Sequence, residues 1–116
     1  MPLTPFEIPP ASHLIGGSWI RGDATIQVTD PSTGQPLTQI ARGTAADIDA
    51  AVAAAHAARA GDWGRMTATE RGRILTRIGQ AVLAQTDALA ELEARDVGKP
   101  LTQARADAVA LARYME

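Results

Sequence analysis

Cysteine is absent from this sequence of 116 residues, and so are long apolar runs and a strong charge of either sign. Without thiols the chain can form no disulfide, no thiolate metal site and no cysteine nucleophile. No apolar stretch approaches the roughly 20 residues of a membrane span, and residues 1–10 show no secretory signal. A net charge of −2 argues against nucleic acid, which requires a basic face. We therefore expect a cytoplasmic protein with no membrane and no nucleic-acid partner.

Large apolar side chains are scarce in this chain. It contains 24 alanines, whereas isoleucine, leucine, valine and phenylalanine together number 23, near the lower edge for a self-sufficient globular domain. Alanine buries little area on folding, so helix faces lined by alanine contribute little transfer free energy, and a small core offsets chain entropy poorly. We therefore expect the isolated chain to be marginally stable or to self-associate, and to pack against further chain or another subunit.

The first part of the chain is typical of short strands. Residues 1–13 contain four prolines, which predict an extended lead-in. Gly16-Gly17-Ser18 separates two short apolar pairs and predicts a tight hairpin turn in which glycine adopts positive φ. Two more strands, residues 25–29 and 36–41, are predicted on either side of Asp30-Pro31-Ser32-Thr33-Gly34, where turn-forming residues cluster. Together these segments predict a β-meander.

Three helices are predicted in the remainder of the chain, at residues 45–60, 68–95 and 100–115. Each of the first two begins after a capping box, in which a threonine is followed three positions later by a carboxylate. These pairs are Thr44 with Asp47 and Thr67 with Glu70. Gly61 is expected to end the first helix, and Gly98 followed by Pro100 to separate the second from the third.

Apolar residues recur with helical spacing along all three helices, which predicts one buried face on each. The residues of these faces include Ile48 and Val52, then Ile74, Ile78 and Val82, then Leu101, Ala104, Ala108 and Leu111. The second helix would be about 40 Å long, although Gly79 weakens its middle. A compact domain of this size is only about 26–30 Å across, so the helix predicts a larger scaffold. The third helix meets no stop signal, from which we expect the natural protein to continue past residue 116.

Motifs that would identify a chemistry are missing or incomplete. Gly98-Lys99 is similar to the end of a phosphate-binding loop, but Glu93 stands where the loop needs its first glycine, and Pro100 stands where a hydroxyl should hold Mg²⁺. His13 and His56 lack the spacing of metal ligands, and no glycine-rich dinucleotide motif follows a strand. From the residues alone we predict no catalytic and no cofactor-binding residue in this chain.

Five segments, in this order along the chain, resemble the NAD(P)-dependent aldehyde dehydrogenase superfamily. They are Ile15-Gly16-Gly17-Ser18-Trp19, the turn Asp30-Pro31-Ser32-Thr33-Gly34, and residues 44–52, 66–71 and 92–101. Each segment is weak alone, but their order and spacing extend the resemblance over residues 14–114. The chain departs from the family pattern at Asp30, where Asn is commoner, and at Val97, where Thr is usual.

The resemblance implies an α/β fold, in which a β-meander and three helices, residues 14–116, form the leading part of a Rossmann-like cofactor domain. It implies an enzyme that binds NAD or NADP, oxidises an aldehyde to a carboxylic acid and forms a homodimer or homotetramer when complete. The cysteine nucleophile, the glutamate that activates water and the nucleotide loop of the family lie downstream. The 116 residues alone are therefore expected to be inactive, and the aldehyde is not identified.

One site is implied within the chain itself. Some members of the family hold a monovalent cation, K⁺ or Na⁺, at positions that correspond to the backbone oxygens of Val28 and Thr29 and to the side chain of Asp96, a set of oxygen ligands that suits a hard cation. Alternatively, Asp96 hydrogen-bonds a loop amide. A different function also remains open, in which the chain is a stand-alone helical interaction or oligomerisation module derived from an aldehyde dehydrogenase N-terminus.

Overall fold

The computed structural model describes residues 11–116, which separate into two compact units. The first, which we call the hairpin unit, comprises residues 11–28 and 38–65. The second, the helical unit, comprises residues 29–37 and 66–116. The predicted lead-in falls mainly on residues 1–10, which lie outside the described residues.

A tight hairpin opens the hairpin unit. Strands β1 (Ser12–Ile15) and β2 (Ser18–Arg21) pair antiparallel, and the register places Ile15 opposite Ser18. The turn therefore consists of two residues, Gly16 and Gly17, whose φ angles are 59° and 81°. Positive φ at both positions is the requirement of a type I′ turn, whose twist matches that of the flanking strands. The predicted glycine turn is confirmed, although the first strand begins earlier than expected.

The remaining strands also lie where the sequence predicts them. β3 (Thr25–Thr29) and β4 (Pro36–Ala41) pair with each other and form a second two-stranded sheet. At the open end of this sheet the Arg42 amide donates to the carbonyl oxygen of Ala24 at 2.8 Å. The meander is thus built as two separate two-stranded sheets.

The first helix of the hairpin unit, α1 (Ala45–Ala60), begins and ends as predicted. The Thr44 and Asp47 side chains each accept from the other's backbone amide, and Gly61 ends the helix. The sequence did not predict the short α2 (Asp62–Arg65) that follows. The predicted buried face is wrong for the described residues, because α1 has no buried residue and Ile48 is 61% exposed.

The prediction of one long second helix is wrong. The segment forms two helices, α3 (Ala68–Ala84) and α4 (Thr86–Val97), and the break is at Gln85 rather than at Gly79. At the break Gln85 has φ −115° and ψ 16°, and the Thr86 hydroxyl donates to the carbonyl of Leu83 at 2.8 Å. Because neither helix reaches about 40 Å, helix length gives no reason to expect a larger scaffold.

The helical unit is completed by α5 (Leu101–Tyr114), which contacts both α3 and α4. The helix begins directly after Pro100, rather than at it as predicted. The buried apolar residues of the described chain are all alanines, three of them on α5: Ala90, Ala104, Ala108 and Ala112. Leu101 and Leu111 of the predicted buried face remain 43% and 44% exposed. None of the helices in residues 11–116 combines the length and apolar character that a membrane crossing needs.

The capping box of α3 makes a pH-dependent contribution to stability. Glu70 accepts from the amide of Thr67 at 2.7 Å and from its hydroxyl at 2.8 Å, and these bonds lower the pKa of the Glu70 carboxyl below 4.5. Because the folded-state pKa is the lower one, the stabilisation is complete above pH 4.5 and is lost as the pH falls through the folded-state pKa.

We expect Glu70→Gln to flatten the acid part of the stability profile. Glutamine keeps an oxygen acceptor for Thr67 but cannot titrate, so the thermal midpoint should fall less between about pH 7 and about pH 3 than in the parent protein. Circular dichroism melts of both proteins would measure this difference. Glu91→Gln, on the exposed side of α4, is the control and should retain the parent's acid dependence.

Candidate functional site

The turn between β3 and β4 is held by its first residue, Asp30. The Asp30 side chain accepts from the Ser32 amide at 2.8 Å, and its backbone carbonyl accepts from the Gly34 amide at 2.8 Å. The Asp30 amide donates to the carbonyl of Gln35 at 2.9 Å. Asp30 is 9% exposed and is the buried charged residue of the described chain. Since its two backbone groups and one carboxylate oxygen are all hydrogen-bonded within the turn, Asp30 holds the turn in this conformation.

The C-terminal end of α4 meets this turn. Gly98 ends the helix in the left-handed conformation, with φ 73° and ψ 19°, and its amide donates to Ala94 at 3.0 Å. A β-carbon at Gly98 would lie 3.1 Å from Cγ of Pro31. Arg95 Nε lies 3.9 Å from the Asp30 carboxylate, so the two segments also attract electrostatically. Two of the five segments that carry the family resemblance are therefore packed together, and we call this contact the turn–helix junction.

Lys99 follows the junction and links α4 to α5. Its Nζ donates to the Glu93 carboxylate at 2.5 Å and to the Asp107 carboxylate. The hydrogen bonds that the Lys99 amine donates to Asp107 and to Glu93, of which the one to Asp107 has the larger effect, raise its pKa above the ordinary value of 10.5. Lys99 therefore belongs to an ion-pair network between helices, which is a structural role rather than that of a phosphate-loop lysine.

The structure leaves the implied cation site a prediction. Val28 is half-buried in the hairpin unit, whereas Thr29 and Asp96 are exposed and belong to the helical unit. Within residues 11–116 Asp96 makes no ion pair and no side-chain hydrogen bond, so the alternative in which it hydrogen-bonds a loop amide is wrong for these residues. Lys99, three residues further along the chain, is paired with Glu93 and Asp107. An exposed carboxylate without a counter-charge at the end of a helix is chemically suited to a hard cation, since the helix dipole disfavours an anion there.

Neither histidine joins a cluster of potential metal ligands. The described residues contain no group of three or more histidine, aspartate or glutamate side chains that could hold a metal ion. His13 Nε2 lies 4.0 Å from the Asp47 carboxylate in the hairpin unit and has no hydrogen-bond partner there. His56 lies exposed on α1. Among residues 11–116 the hydroxyls hydrogen-bonded to a carboxylate include those of Thr44 and Thr67, which belong to the capping boxes of α1 and α3. We assign no catalytic residue among the described residues.

Sequence reasoning missed the ion pairs that join separate segments of the helical unit, one of which places Arg105 Nε on α5 at 2.8 Å from the Asp87 carboxylate on α4. Asp30 and Arg95 are far apart in the chain, and Lys99 reaches Asp107 on the next helix. The positions of Gly98 and Pro100 did predict a helix end and a new helix start. To predict the pair of Lys99 with Asp107 from the sequence, one would have to know how α5 aligns against α4. The pattern of alanines on α5 does not determine that alignment.

Comparison with known proteins identifies what this arrangement is similar to. The profile described as "Aldehyde dehydrogenase family" matches residues 19–116. Acetaldehyde dehydrogenase 2 of Cupriavidus necator is 42% identical over 102 residues, which cover 86% of this chain and 20% of that protein. The chain thus spans about a fifth of the length of this relative.

Solved structures give the same result for the fold. A Burkholderia cenocepacia protein described as an aldehyde dehydrogenase superposes with a TM-score of 0.89 at 57% identity, over 91% of this chain and 23% of that one. A Staphylococcus aureus betaine aldehyde dehydrogenase, solved in complex with NAD⁺, superposes with a TM-score of 0.85 at 28% identity, over 90% and 22%. These likenesses confirm the predicted α/β fold class.

Proposed function

This chain belongs to the aldehyde dehydrogenase family, and we propose that it is the N-terminal part of a longer NAD(P)-dependent enzyme that oxidises an aldehyde to a carboxylic acid. The observation that carries the proposal is that the family model matches residues 19–116, while the chain covers only about a fifth of the length of its Cupriavidus necator relative. The turn–helix junction supports it, because two family segments meet there in a defined packing.

The residues of this chain act as scaffold in the proposed reaction. NAD or NADP, when bound, would supply the hydride acceptor for the oxidation, and a cysteine outside this chain would supply the nucleophile. No glycine-rich loop of this chain is suited to a dinucleotide, and Lys99 is already committed to two carboxylates. We therefore assign this chain no contact with the cofactor. Its part is to hold the turn and the helices of a Rossmann-like domain in place.

The remaining properties of the enzyme follow from the same proposal. We place it in the cytoplasm, with an aldehyde as substrate, and as a homodimer or homotetramer. Several apolar side chains stay exposed in this chain, among them Ile48 and Val52 on α1. We expect the subunit contacts of such an assembly to bury some of them. Because Ile48 and Val52 are 61% and 50% exposed, covering each would add about half of the 1.5–3 kcal/mol that full burial contributes.

The function is tested with two polypeptides, this chain of 116 residues and the intact protein, by which we mean the whole translated product of the gene that encodes it. We expect NADH or NADPH to form from acetaldehyde and longer aldehydes with the intact protein and not with the chain alone. If the chain alone oxidises aldehydes, and still does so after repurification, the proposal that its residues act only as scaffold is wrong. If the intact protein binds no nucleotide and oxidises no aldehyde, the proposal that it is an NAD(P)-dependent aldehyde dehydrogenase is wrong.

A stand-alone interaction module is the second candidate function, and the exposed apolar side chains of α1 are the observation that favours it. The gene sequence distinguishes the two. A reading frame that continues into a glycine-rich nucleotide loop and a cysteine supports the enzyme. A stop codon directly after Glu116, together with concentration-dependent self-association of the chain, supports the module.

The cation site gives a separate prediction. We propose that Asp96, together with the backbone oxygens of Val28 and Thr29, binds K⁺ or Na⁺ in the intact protein. Asp96→Ala should then lower the thermal midpoint and weaken its dependence on potassium or sodium, without abolishing turnover, because removing an anionic ligand removes most of the attraction for the cation. Melts in potassium, sodium and tetramethylammonium chloride would measure the effect.

Glu91→Ala is the matched control for Asp96→Ala. Both carboxylates are exposed on α4 and neither has an ion-pair partner among residues 11–116. The control should keep the parent's response to the three salts. If Asp96→Ala keeps it as well, Asp96 is an ordinary surface residue and the cation site is wrong.

A further inference from the structure

Lysine is almost absent from this chain. Of its 11 basic residues, ten are arginines and one is Lys99. A lysine amine and an arginine guanidinium differ in their chemistry toward carbonyl compounds. The guanidinium stays protonated and delocalised at any physiological pH, whereas an amine that loses its proton becomes a nucleophile. Lys99 is therefore the one side chain of the chain that could condense readily with a simple aldehyde.

The condensation has a strict requirement. The unprotonated Nζ donates its lone pair to the carbonyl carbon, a C–N bond forms, and loss of one water molecule then gives the imine. No oxidant or reductant takes part. Protonated Nζ has no lone pair to donate, so the rate follows the fraction of free amine, which falls about tenfold for each unit by which the pKa rises.

The geometry around Lys99 opposes each part of this requirement. Its Nζ is hydrogen-bonded to Glu93 on α4 at 2.5 Å and to Asp107 on α5, and both carboxylates stabilise the protonated form. Only 28% of the Lys99 side chain is exposed. Attack on an aldehyde would require Nζ to lose its proton and to leave two ion pairs in a partly enclosed position.

We propose that the carboxylates of Glu93 and Asp107 protect Lys99 from covalent modification by the aldehydes that the enzyme handles. The inference rests on the proposed function for the source of the aldehyde. The protection also preserves the structure, because a bulky group on Nζ would separate the helices that Lys99 links and leave two carboxylates without their shared partner.

The test compares Lys99 with an unprotected lysine in the same molecule. Arg73 and Arg77 are exposed on α3 and make no ion pair within residues 11–116, so Arg73→Lys and Arg77→Lys each introduce a reference amine. The intact variants are treated with acetaldehyde and cyanoborohydride, whose hydride reduces the imine to a stable secondary amine. Peptide mass spectrometry then follows each site, with fully denatured protein as the measure of intrinsic reactivity.

We expect Lys99 to be labelled at least about fivefold more slowly than either introduced lysine in folded protein, and at equal rates after denaturation. The double variant Glu93→Gln/Asp107→Asn, carrying the same reference, should raise the folded rate of Lys99 toward that of the reference. Equal labelling in the folded parent, or no acceleration in a double variant that remains folded, would overturn the proposal. Labelling needs no dehydrogenase activity, so this result is separate from the test of the enzyme.

Discussion

Replacing Gly79 by leucine should destabilise the intact protein by about 1–3 kcal/mol or more. Gly79 lies buried in α3, where a β-carbon would be 2.8 Å from the carbonyl oxygen of Ala112 and 3.3 Å from Cβ of Met115. Both neighbours belong to the α5 segment, and the closer one is backbone, which cannot rotate away. A side chain at position 79 must therefore push α5 off α3. Urea unfolding of parent and variant measures the loss.

Gly72 provides the matched control within the same helix. A β-carbon there meets nothing within 4 Å, so Gly72→Ala should raise stability by about 0.5–1 kcal/mol, the ordinary gain from replacing a helical glycine. Gly79→Ala should lose stability despite the same gain in helix propensity. If alanine stabilises the protein equally at both positions, the close packing of α3 on α5 is wrong.

Gly98→Ala is expected to lower stability by about 1–2 kcal/mol for its backbone conformation alone. Its φ of 73° is in the left-handed region that residues with a β-carbon adopt at a cost. A further loss is expected from packing, because the new methyl group would lie 3.1 Å from Pro31 in the turn–helix junction. The free energy of unfolding of the intact variant measures the sum of the two effects.

Gly34→Ala separates the two contributions. Gly34 has nearly the same φ, 70°, but a β-carbon there meets nothing within 4 Å. It should therefore show the backbone cost without the packing cost. A loss at position 98 no larger than that at position 34 would mean that Pro31 yields freely and that the junction is not tightly packed.

Local signals in the sequence predicted the ends of elements well. The threonine–carboxylate pairs that begin α1 and α3 are confirmed, as are the two-glycine turn and the glycine stops at Gly61 and Gly98. Each of these signals acts over three or four residues through a hydrogen bond or a dihedral preference. Such features need no knowledge of which helix packs on which.

Tertiary features were predicted poorly, and Gln85 and Gly79 show why. No local breaker marks Gln85, yet the helix is interrupted there, and both of the resulting helices contact α5. Gly79 was interpreted as a weak point of a helix, but it is a contact surface for Ala112. The small size of Gly79 matters only when α5 packs against it, and helix propensity contains no information about that contact.

The alanine face of α5 has a consequence for how this sequence can evolve. Ala104, Ala108 and Ala112 recur every four residues and are 0%, 7% and 3% exposed. Close-packed protein interiors tolerate little added volume. A saturation library at these three positions, selected for function, should therefore return almost entirely glycine, alanine and serine. We therefore expect tolerated substitutions on α5 to fall on its outer faces, because a larger side chain on the alanine face would force the neighbouring helices apart.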